Sequence, residues 1–295
     1  MNSIIFSKNK FAQILFSTPV IIIYSLIIII PLIQAFIMSF TNWDGVNTAT
    51  YAGLANYKML FTSPNLKVSL INSVIYSAIL VTYQLTLGTL FATILVNSTI
   101  KFKRIFKDIY FFPVLLSVSV VAQLWLSIYH GDFGLLNQIL KMLDPTWSQN
   151  WLAEPTKGII AIVLAESWKG MGYHMLIIYA AMRNVPRFYY EAATIDGASP
   201  TQQFFNITFP LIGQTLKVCF IMCVTFGFRA FEQIFIMTSG GPVNYTYTMS
   251  IMMYKALFGL QKYGYSNAIA VFIVVICVGI MLMIERAFRN THVEY

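Results

Sequence analysis

The chain has 295 residues, of which 58% are hydrophobic and 10% are charged, and its formal net charge is +8. A water-soluble domain carries about 25% charged residues, so this composition excludes an ordinary soluble protein and indicates an integral membrane protein. No soluble basic domain is present to use the positive charge, and we therefore expect no nucleic-acid partner.

Six segments are predicted to cross the membrane as helices. Each offers about 20 mostly apolar residues, and backbone groups in lipid must pair within their own segment. The spans are Phe11–Phe40, Leu70–Val96, Ile109–Tyr129, Gly158–Met182, Leu211–Met237 and Asn267–Ile284. The first is too long for the apolar core of a cleaved signal peptide, so we expect it to remain in the membrane. Residues 41–68, 130–157 and 238–266 are predicted outer loops, and Pro19, Pro31 and Pro113 can kink the spans.

The positions of Lys and Arg predict the orientation, because these residues concentrate on the cytoplasmic side. They cluster before the first span, between the second and third, between the fourth and fifth, and after the last: Lys8, Lys10, Lys101, Lys103, Arg104, Lys107, Arg183, Arg187, Arg286 and Arg289. This alternation places both termini in the cytoplasm. It also accounts for most of the net charge, which suits the surface of membrane lipid.

Motifs for chemistry are missing from the sequence. No Gly-x-x-x-x-Gly-Lys-Ser/Thr phosphate loop occurs, so we expect the chain neither to bind nor to hydrolyse ATP. The cysteines fall in predicted spans and are expected to act as small apolar packing residues, and the histidines are scattered: Cys219, Cys223, Cys277, His130, His174 and His292. We predict no enzyme activity, no cofactor and no metal site.

A polar segment at residues 186–210 separates the fourth and fifth spans. Residues 189–195 can form two helical turns, with Glu191 favourable near the N-terminus. Gly197 supplies the left-handed residue that ends such a helix. Ser199 and Pro200 can then begin a second helix as its cap and first residue. The sequence therefore predicts two short helices joined at Gly197.

Charged residues inside the membrane are costly and usually face a cavity or a partner. Glu166 and Lys169 lie in the fourth span, and Arg229 and Glu232 lie in the fifth. Members of each pair are three residues apart and are predicted neighbours on one helix face. Contact with a transported solute, simple local ion pairing, and snorkelling of the side chains to the outer interface all remain open.

The polar segment resembles the cytoplasmic loop of permease subunits of binding-protein-dependent ABC importers. The matching residues are Glu191-Ala192-Ala193, Asp196-Gly197-Ala198, Phe205, Ile207 and Pro210-Leu211. Weaker similarity to the sugar branch, which includes the maltose and glycerol-phosphate types, covers Gly53-Leu54-Ala55-Asn56-Tyr57, Asn72, Pro113, Trp125, Gly134, Asn137, Trp168, Gly172, Thr238-Ser239-Gly240-Gly241-Pro242, Tyr254 and Phe258.

The resemblance implies the fold, the domains and the partners. The fold is an all-α integral membrane protein of six transmembrane helices, the type I permease fold of ABC importers. Residues 1–68 form an N-terminal helix and outer loop, and residues 69–290 form a five-helix permease core. The implied partners in a bacterial cytoplasmic membrane are a second homologous permease, two ABC ATPase subunits, an extracytoplasmic solute-binding protein and a sugar.

The resemblance also implies two sets of site residues. The ATPase would dock on Glu191, Ala192, Ala193, Asp196, Gly197 and Ala198. The solute path would use Trp168, Met171, Gly172, Met175, Cys223, Gly227, Ala230 and Glu232. Within these sets, the indole of Trp168 suits the apolar face of a sugar ring, and Gly172 would allow a ligand to approach the backbone.

Two alternatives remain open from the sequence. The same importer class can carry another solute, such as a glycerol phosphate ester or a polyamine. A self-sufficient secondary transporter would need buried carboxylates for ion coupling, and Glu166 and Glu232 are its candidates. That alternative leaves the polar loop at residues 186–210 without a purpose.

Overall fold

The computed structural model describes residues 10–97 and 101–288, and these residues are mostly helical. The α-helices are α1 (Lys10–Tyr24), α2 (Ile30–Met38), α3 (Ala55–Thr62), α4 (Pro64–Leu80), α5 (Thr86–Asn97), α6 (Lys103–Phe111), α7 (Val118–Ile128), α8 (Leu135–Lys141), α9 (Lys157–Arg183), α10 (Phe188–Ile195), α11 (Pro200–Gln203), α12 (Phe209–Leu211), α13 (Gly213–Arg229), α14 (Glu232–Thr238), α15 (Met249–Tyr254) and α16 (Tyr263–Ala287). π-Helical turns occur at Ser25–Ile29, Val81–Leu85, Phe204–Thr208 and Lys255–Gly259, and a 3₁₀ turn at Phe112–Leu115. Strands β1 (Thr41–Asn42) and β2 (Thr50–Tyr51) pair antiparallel, with Thr41 opposite Tyr51.

The chain divides into two compact units. The first contains the residues up to Thr62 together with Met253–Phe272. Within it, the Asn56 amide donates hydrogen bonds of 2.8 Å to the carbonyls of both Ser39 and Thr41. These bonds satisfy backbone groups where α2 gives way to β1, so a buried Asn fixes the start of the small hairpin.

The second unit contains Ser63–Met252 and the residues from Ile273 onward. A hydrophobic core cluster lies where α5 and α13 pack against α9, around Ala92, Leu95, Met175, Ile178, Met182, Val185, Ile212 and Cys219. Ser63 caps α4 by accepting a hydrogen bond from the Asn65 N–H, and Pro64 occupies the first helical position, where its missing N–H costs nothing.

Three helical segments are long and apolar enough to cross a membrane, namely Ile14–Met38, Pro64–Val96 and Tyr263–Ala287. If each of two bent helix pairs is counted as one span, the number of candidate spans among the described residues is five. The first pair is Lys103–Leu115 with Val118–Ile128, bent by 98°, and the second is Pro200–Leu211 with Gly213–Arg229, bent by 68°. The predicted first, second and last spans are therefore confirmed as apolar helices of membrane-crossing length. α9 contains 27 residues, but its polar and small residues near the middle make it less apolar than these segments.

The third and fifth predicted spans are not single straight helices. In the third, the 3₁₀ turn that contains Pro113 is followed by Ser117, which caps α7, and this confirms the kink expected near Pro113. In the fifth, the sequence prediction was wrong, because α13 ends at Arg229 and α14 begins only at Glu232. The Thr248 hydroxyl donates to the carbonyl of Ala230 at 3.2 Å, so a side chain from another element satisfies backbone that the break leaves unpaired.

The predicted outer loop at residues 238–266 is partly helical. It contains α15 and the π-helical turn that follows. Met249, Ile251 and Met252 in α15 are buried, so packing of these side chains gives the segment a helical structure that the loop prediction missed. Strained backbone lies just before it, where Val243 has a positive φ of 47° and an exposed side chain.

Candidate functional site

Residues 188–203 form two short helices joined by a tight turn. α10 ends in a Schellman motif, in which Ala198 N–H bonds to the Ala193 carbonyl at 2.9 Å and Gly197 N–H bonds to the Thr194 carbonyl at 3.1 Å. Gly197 has a φ of +77°. The predicted left-handed glycine is therefore confirmed, and it satisfies helix-terminal carbonyls that a straight chain would leave open.

The second short helix begins with a complete capping box. The Ser199 hydroxyl accepts a bond from the Gln202 N–H at 3.3 Å, and the Gln202 side chain accepts one from the Ser199 N–H at 2.8 Å. The Gln203 amide also donates to the Thr194 hydroxyl at 3.1 Å, and Tyr190 bonds to Thr208 at 2.9 Å. These bonds make α10 and α11 one compact element, which we call the two-helix loop (residues 188–203).

The outer face of the two-helix loop is exposed. Glu191, Ala192, Asp196 and Gly197 are exposed, and Ala193 and Ala198 are half-buried. Ile195, which sequence reasoning did not select, is 87% exposed. A Cβ added at Gly197 would meet no atom within 4 Å. The loop thus presents small side chains, an apolar side chain and two carboxylates without obstruction.

The predicted path residues are divided among several environments. Met171, Gly172 and Met175 are buried on α9, and Cys223 and Gly227 are buried on α13. A Cβ on Gly172 would lie 2.1 Å from the Tyr110 carbonyl oxygen, and one on Gly227 would lie 2.2 Å from the Ser77 hydroxyl. In this structure both glycines therefore serve close helix packing, and protein atoms occupy the space beside them.

Cys223 belongs to a small buried polar cluster. Its sulfur lies 3.4 Å from Nε2 of His174 and 3.6 Å from Oε1 of Gln84. The described residues contain no group of three or more His, Cys, Asp or Glu side chains that could hold a metal. The cluster joins α9, α13 and the π-helical turn of the second span through side-chain contacts.

A charged cavity of about 440 Å³ lies at the two helix breaks. Its lining is Tyr76, Val118, Glu166, Lys169, Phe226, Arg229, Ala230, Phe231, Glu232 and Gln233. Val118 is the first residue of α7, and Ala230 lies in the break after α13. Irregular backbone at membrane depth is tolerated where it lines a cavity or is buried in protein, so the breaks and the cavity belong together.

The structure changes the expected arrangement of the four charges. Glu166 and Lys169 are three apart on α9, but the helix break separates Arg229 from Glu232, so the predicted shared helix face for that pair is wrong. Within residues 10–97 and 101–288, neither cavity carboxylate forms an ion pair with Lys169 or Arg229. Sequence reasoning missed Tyr76 and Gln233, although polar residues within apolar spans are a usable signal.

Trp168 lines a second cavity, of about 380 Å³. The four further aromatic residues of its lining are Tyr83, Trp125, Tyr129 and Trp151. The ring centroids of Trp125 and Trp168 are 6.0 Å apart in an edge arrangement. The structure therefore brings Ala230 and Glu232 to the charged cavity but places Trp168 in this aromatic cavity.

Apolar helices that are broken around a charged cavity are typical of membrane transport proteins. Residues 84–290 match the family described as binding-protein-dependent transport system inner membrane component, and the chain belongs to this family. It is thus an integral membrane protein and a transport subunit, and the resemblance seen in the sequence is confirmed.

Named relatives agree with this assignment. The chain is 30% identical to the probable ABC transporter permease protein YurN of Bacillus subtilis (strain 168), over 96% of this chain and 98% of that protein. It is 30% identical to the multiple sugar-binding transport system permease protein MsmF of Streptococcus mutans serotype c, over 86% of this chain and 87% of that protein. A chain in the crystal structure of a bacterial ABC transporter involved in the import of the acidic polysaccharide alginate shares the fold, with a TM-score of 0.82, 21% identity, and coverage of 96% and 97%.

Proposed function

We propose that the chain is the permease subunit of an ATP-driven importer for a sugar or oligosaccharide in the bacterial cytoplasmic membrane. The family supports the importer class, and the relative named for multiple sugar-binding transport supports the solute. The permease supplies part of the path across the membrane and none of the chemistry. ATP hydrolysis belongs to separate ATPase subunits.

The exposed two-helix loop is the observation that carries this proposal. An isoleucine side chain gains about 1.5–3 kcal/mol when it is fully buried, so the 87% exposure of Ile195 favours a partner that covers it. A short helix with small side chains fits a groove on another protein. The ATPase would therefore dock on Glu191, Ala192, Ala193, Asp196, Gly197 and Ala198, with Ile195 among them.

The proposed topology has six transmembrane helices and cytoplasmic termini. It counts each bent pair as one span and adds α9, whose 27 residues would extend about 40 Å at 1.5 Å per residue. The concentration of Lys and Arg on alternate sides supports the orientation. Residues 1–68 would act as an N-terminal helix with an outer loop, and residues 69–290 as the permease core.

The proposed importer contains further subunits in addition to this chain. A second homologous permease would form the other half of the path, and an extracytoplasmic binding protein would deliver the solute. Two ATPases would close on ATP and move the loops as levers, and the paired bundles would alternate access around a site in the membrane. In this chain the proposed solute contacts are Trp168, Met171, Gly172, Met175, Cys223, Gly227, Ala230 and Glu232.

The direct test is to purify the permease with its binding protein and to measure ATP hydrolysis over a panel of sugars. We expect an ATPase subunit and a second permease to copurify, and one class of sugar to stimulate hydrolysis. A purified chain that transports solute in liposomes without an ATPase, driven by an ion gradient, would refute the proposal.

A further inference from the structure

The charged cavity has a buried floor and a charged rim. Its floor contains Tyr76, Gln233 and Glu166, which are 0%, 3% and 6% exposed. Its rim contains the exposed residues Arg229 and Glu232 and the half-buried Lys169. A solute that enters from the rim would therefore meet Arg229, Glu232 and Lys169 first, and Tyr76, Gln233 and Glu166 at the bottom.

Among the residues that the structure describes, two polar atoms on the floor have no hydrogen-bond partner. They are the Tyr76 hydroxyl and Oε1 of Gln233, both buried. A buried polar atom without a partner costs about 1–3 kcal/mol, so the cavity gains stability when a ligand or water supplies one. The amide oxygen only accepts hydrogen bonds, whereas the phenol both donates and accepts. A hydroxyl group meets both requirements.

The charges of the lining are balanced. Two carboxylates, Glu166 and Glu232, face two cations, Lys169 and Arg229. An anionic solute would therefore find no excess positive charge to offset the loss of its hydration, which costs several kcal/mol per ion. An uncharged hydroxyl can donate to either carboxylate and accept from either cation.

We propose that this cavity contacts the solute and selects uncharged, polyhydroxylated solutes over acidic ones of the same size. The inference rests on the proposed function, and it adds Tyr76, Glu166, Lys169 and Gln233 as contacts. Tyr76 and Gln233 bind solute hydroxyls at the floor, and the paired charges of the whole lining, with Glu166 and Glu232 against Lys169 and Arg229, set the charge preference. The preference is thus opposite to the solute named for the alginate importer that shares the fold.

The first test removes the floor contacts with little change in shape. Tyr76→Phe deletes one hydroxyl, and Gln233→Leu deletes the amide. The complete importer, with its own binding protein and ATPase, is placed in liposomes, and uptake of a radiolabelled neutral trisaccharide is measured. Loss of one hydrogen bond is expected to slow uptake about three- to tenfold in each variant. The controls Tyr51→Phe and Gln214→Leu make the same changes at exposed positions and should transport normally.

The second test changes the charge balance. Glu232→Gln leaves one excess cation, and it is expected to raise uptake of a uronate trisaccharide, relative to the neutral one, about tenfold or more. Lys169→Gln leaves one excess carboxylate and should lower the same ratio. Shifts of this uptake ratio in opposite directions in the two variants would indicate charge selection, because a merely structural defect would slow the uptake of both solutes alike. Because the variants and the wild type are compared with the same binding protein, the preference of that protein for one trisaccharide cancels from the change in the uptake ratio.

Each outcome has a clear meaning. Normal uptake of the neutral trisaccharide by both Tyr76→Phe and Gln233→Leu would overturn the proposed contacts. If Gln233→Leu fails to assemble, Tyr76→Phe decides alone. An uptake ratio of uronate to neutral trisaccharide that stays at the wild-type value in both Glu232→Gln and Lys169→Gln would overturn charge selection. If the wild type imports neither carbohydrate, the proposed function itself fails and this inference fails with it.

Discussion

The backbone N–H of Ala198 donates a 2.9 Å hydrogen bond to the carbonyl of Ala193 and closes α10 over the left-handed Gly197. This bond shapes the two-helix loop, because it reverses the chain tightly enough for α11 to begin three residues after Gly197. The outer surface of the turn is open. A substitution at residue 197 therefore reports on whatever covers the turn.

Gly197→Asp should disconnect ATP hydrolysis from transport. The left-handed backbone costs a non-glycine residue about 1–2 kcal/mol, and Asp tolerates it better than most. The larger effect is a third carboxylate beside Asp196 and Glu191, because an unpaired charge buried against a partner costs several kcal/mol. We expect loss of ATPase copurification, measured by subunit stoichiometry.

The matched control is Gly197→Asn, which has the same shape and backbone preference without the charge. It should retain most of the ATPase. Normal stoichiometry and solute-stimulated hydrolysis in Gly197→Asp would show that this turn does not couple the two subunits. Equal loss of ATPase copurification in Gly197→Asp and Gly197→Asn would show that the shape of the added side chain, and not its charge, causes the defect.

Trp168→Ala should slow transport without preventing assembly. Trp168 lines the aromatic cavity with Trp125, and its removal takes away an aromatic surface on which a sugar ring can stack. Loss of such contacts is expected to cost about 1 kcal/mol, or roughly fivefold in uptake rate. Trp147→Ala in the outer region is the control, because Trp147 does not line that cavity. Unchanged uptake kinetics in Trp168→Ala would remove the residue from the path.

Single cysteines should label from opposite sides of the membrane. With the native cysteines replaced by alanine, Thr201→Cys in the two-helix loop should react only from the cytoplasm, and Val243→Cys only from outside. Both side chains are exposed, so differences in labelling by an impermeant maleimide report the side and not burial. Reversed labelling, or labelling of both sites from one side, would contradict the six-helix topology.

Lys217 and Glu285 should stabilise the fold only as a pair. Lys217 is 3% exposed and lies beside apolar residues, and its Nζ contacts a carboxylate oxygen of Glu285 at 3.0 Å. Glu285→Gln removes the charge partner of a buried cation and should destabilise the protein by about 1.5–3 kcal/mol. The double variant Lys217→Met with Glu285→Gln should recover most of that loss, since no buried charge remains. Thermal unfolding in detergent measures both, and a double variant no better than Glu285→Gln would contradict this account.

Local sequence was most informative in the two-helix loop. Gly197, Ser199 and Pro200 act through their own backbone preferences and through bonds to residues only a few positions away, so their roles were predictable and are confirmed. The apolar helices at Ile14–Met38, Pro64–Val96 and Tyr263–Ala287 were predictable for a similar reason, since length and composition suffice to indicate them.

The break after Arg229 was not predictable from nearby residues. Neither Pro nor Gly occupies the break at Ala230 and Phe231, and the segment is apolar enough to continue as one helix. Thr248 and Ser250, about twenty residues away, donate to the carbonyls of Ala230 and Phe228. Hydrogen bonds from residues that are distant in sequence offset the cost of interrupting the helix. The local sequence pattern does not reveal these hydrogen-bond partners.

The sequence by itself therefore determined the membrane-protein class, the apolar helices and the conformation of the two-helix loop, because each depends on composition or on neighbouring residues. Tertiary structure decided where the third and fifth spans bend and which polar groups meet. It placed Tyr76 of α4, Glu166 of α9, and Glu232 and Gln233 of α14 around one cavity, although these three helices are far apart in sequence. Such a cavity exists only when packed helices and long-range hydrogen bonds hold broken backbone in place.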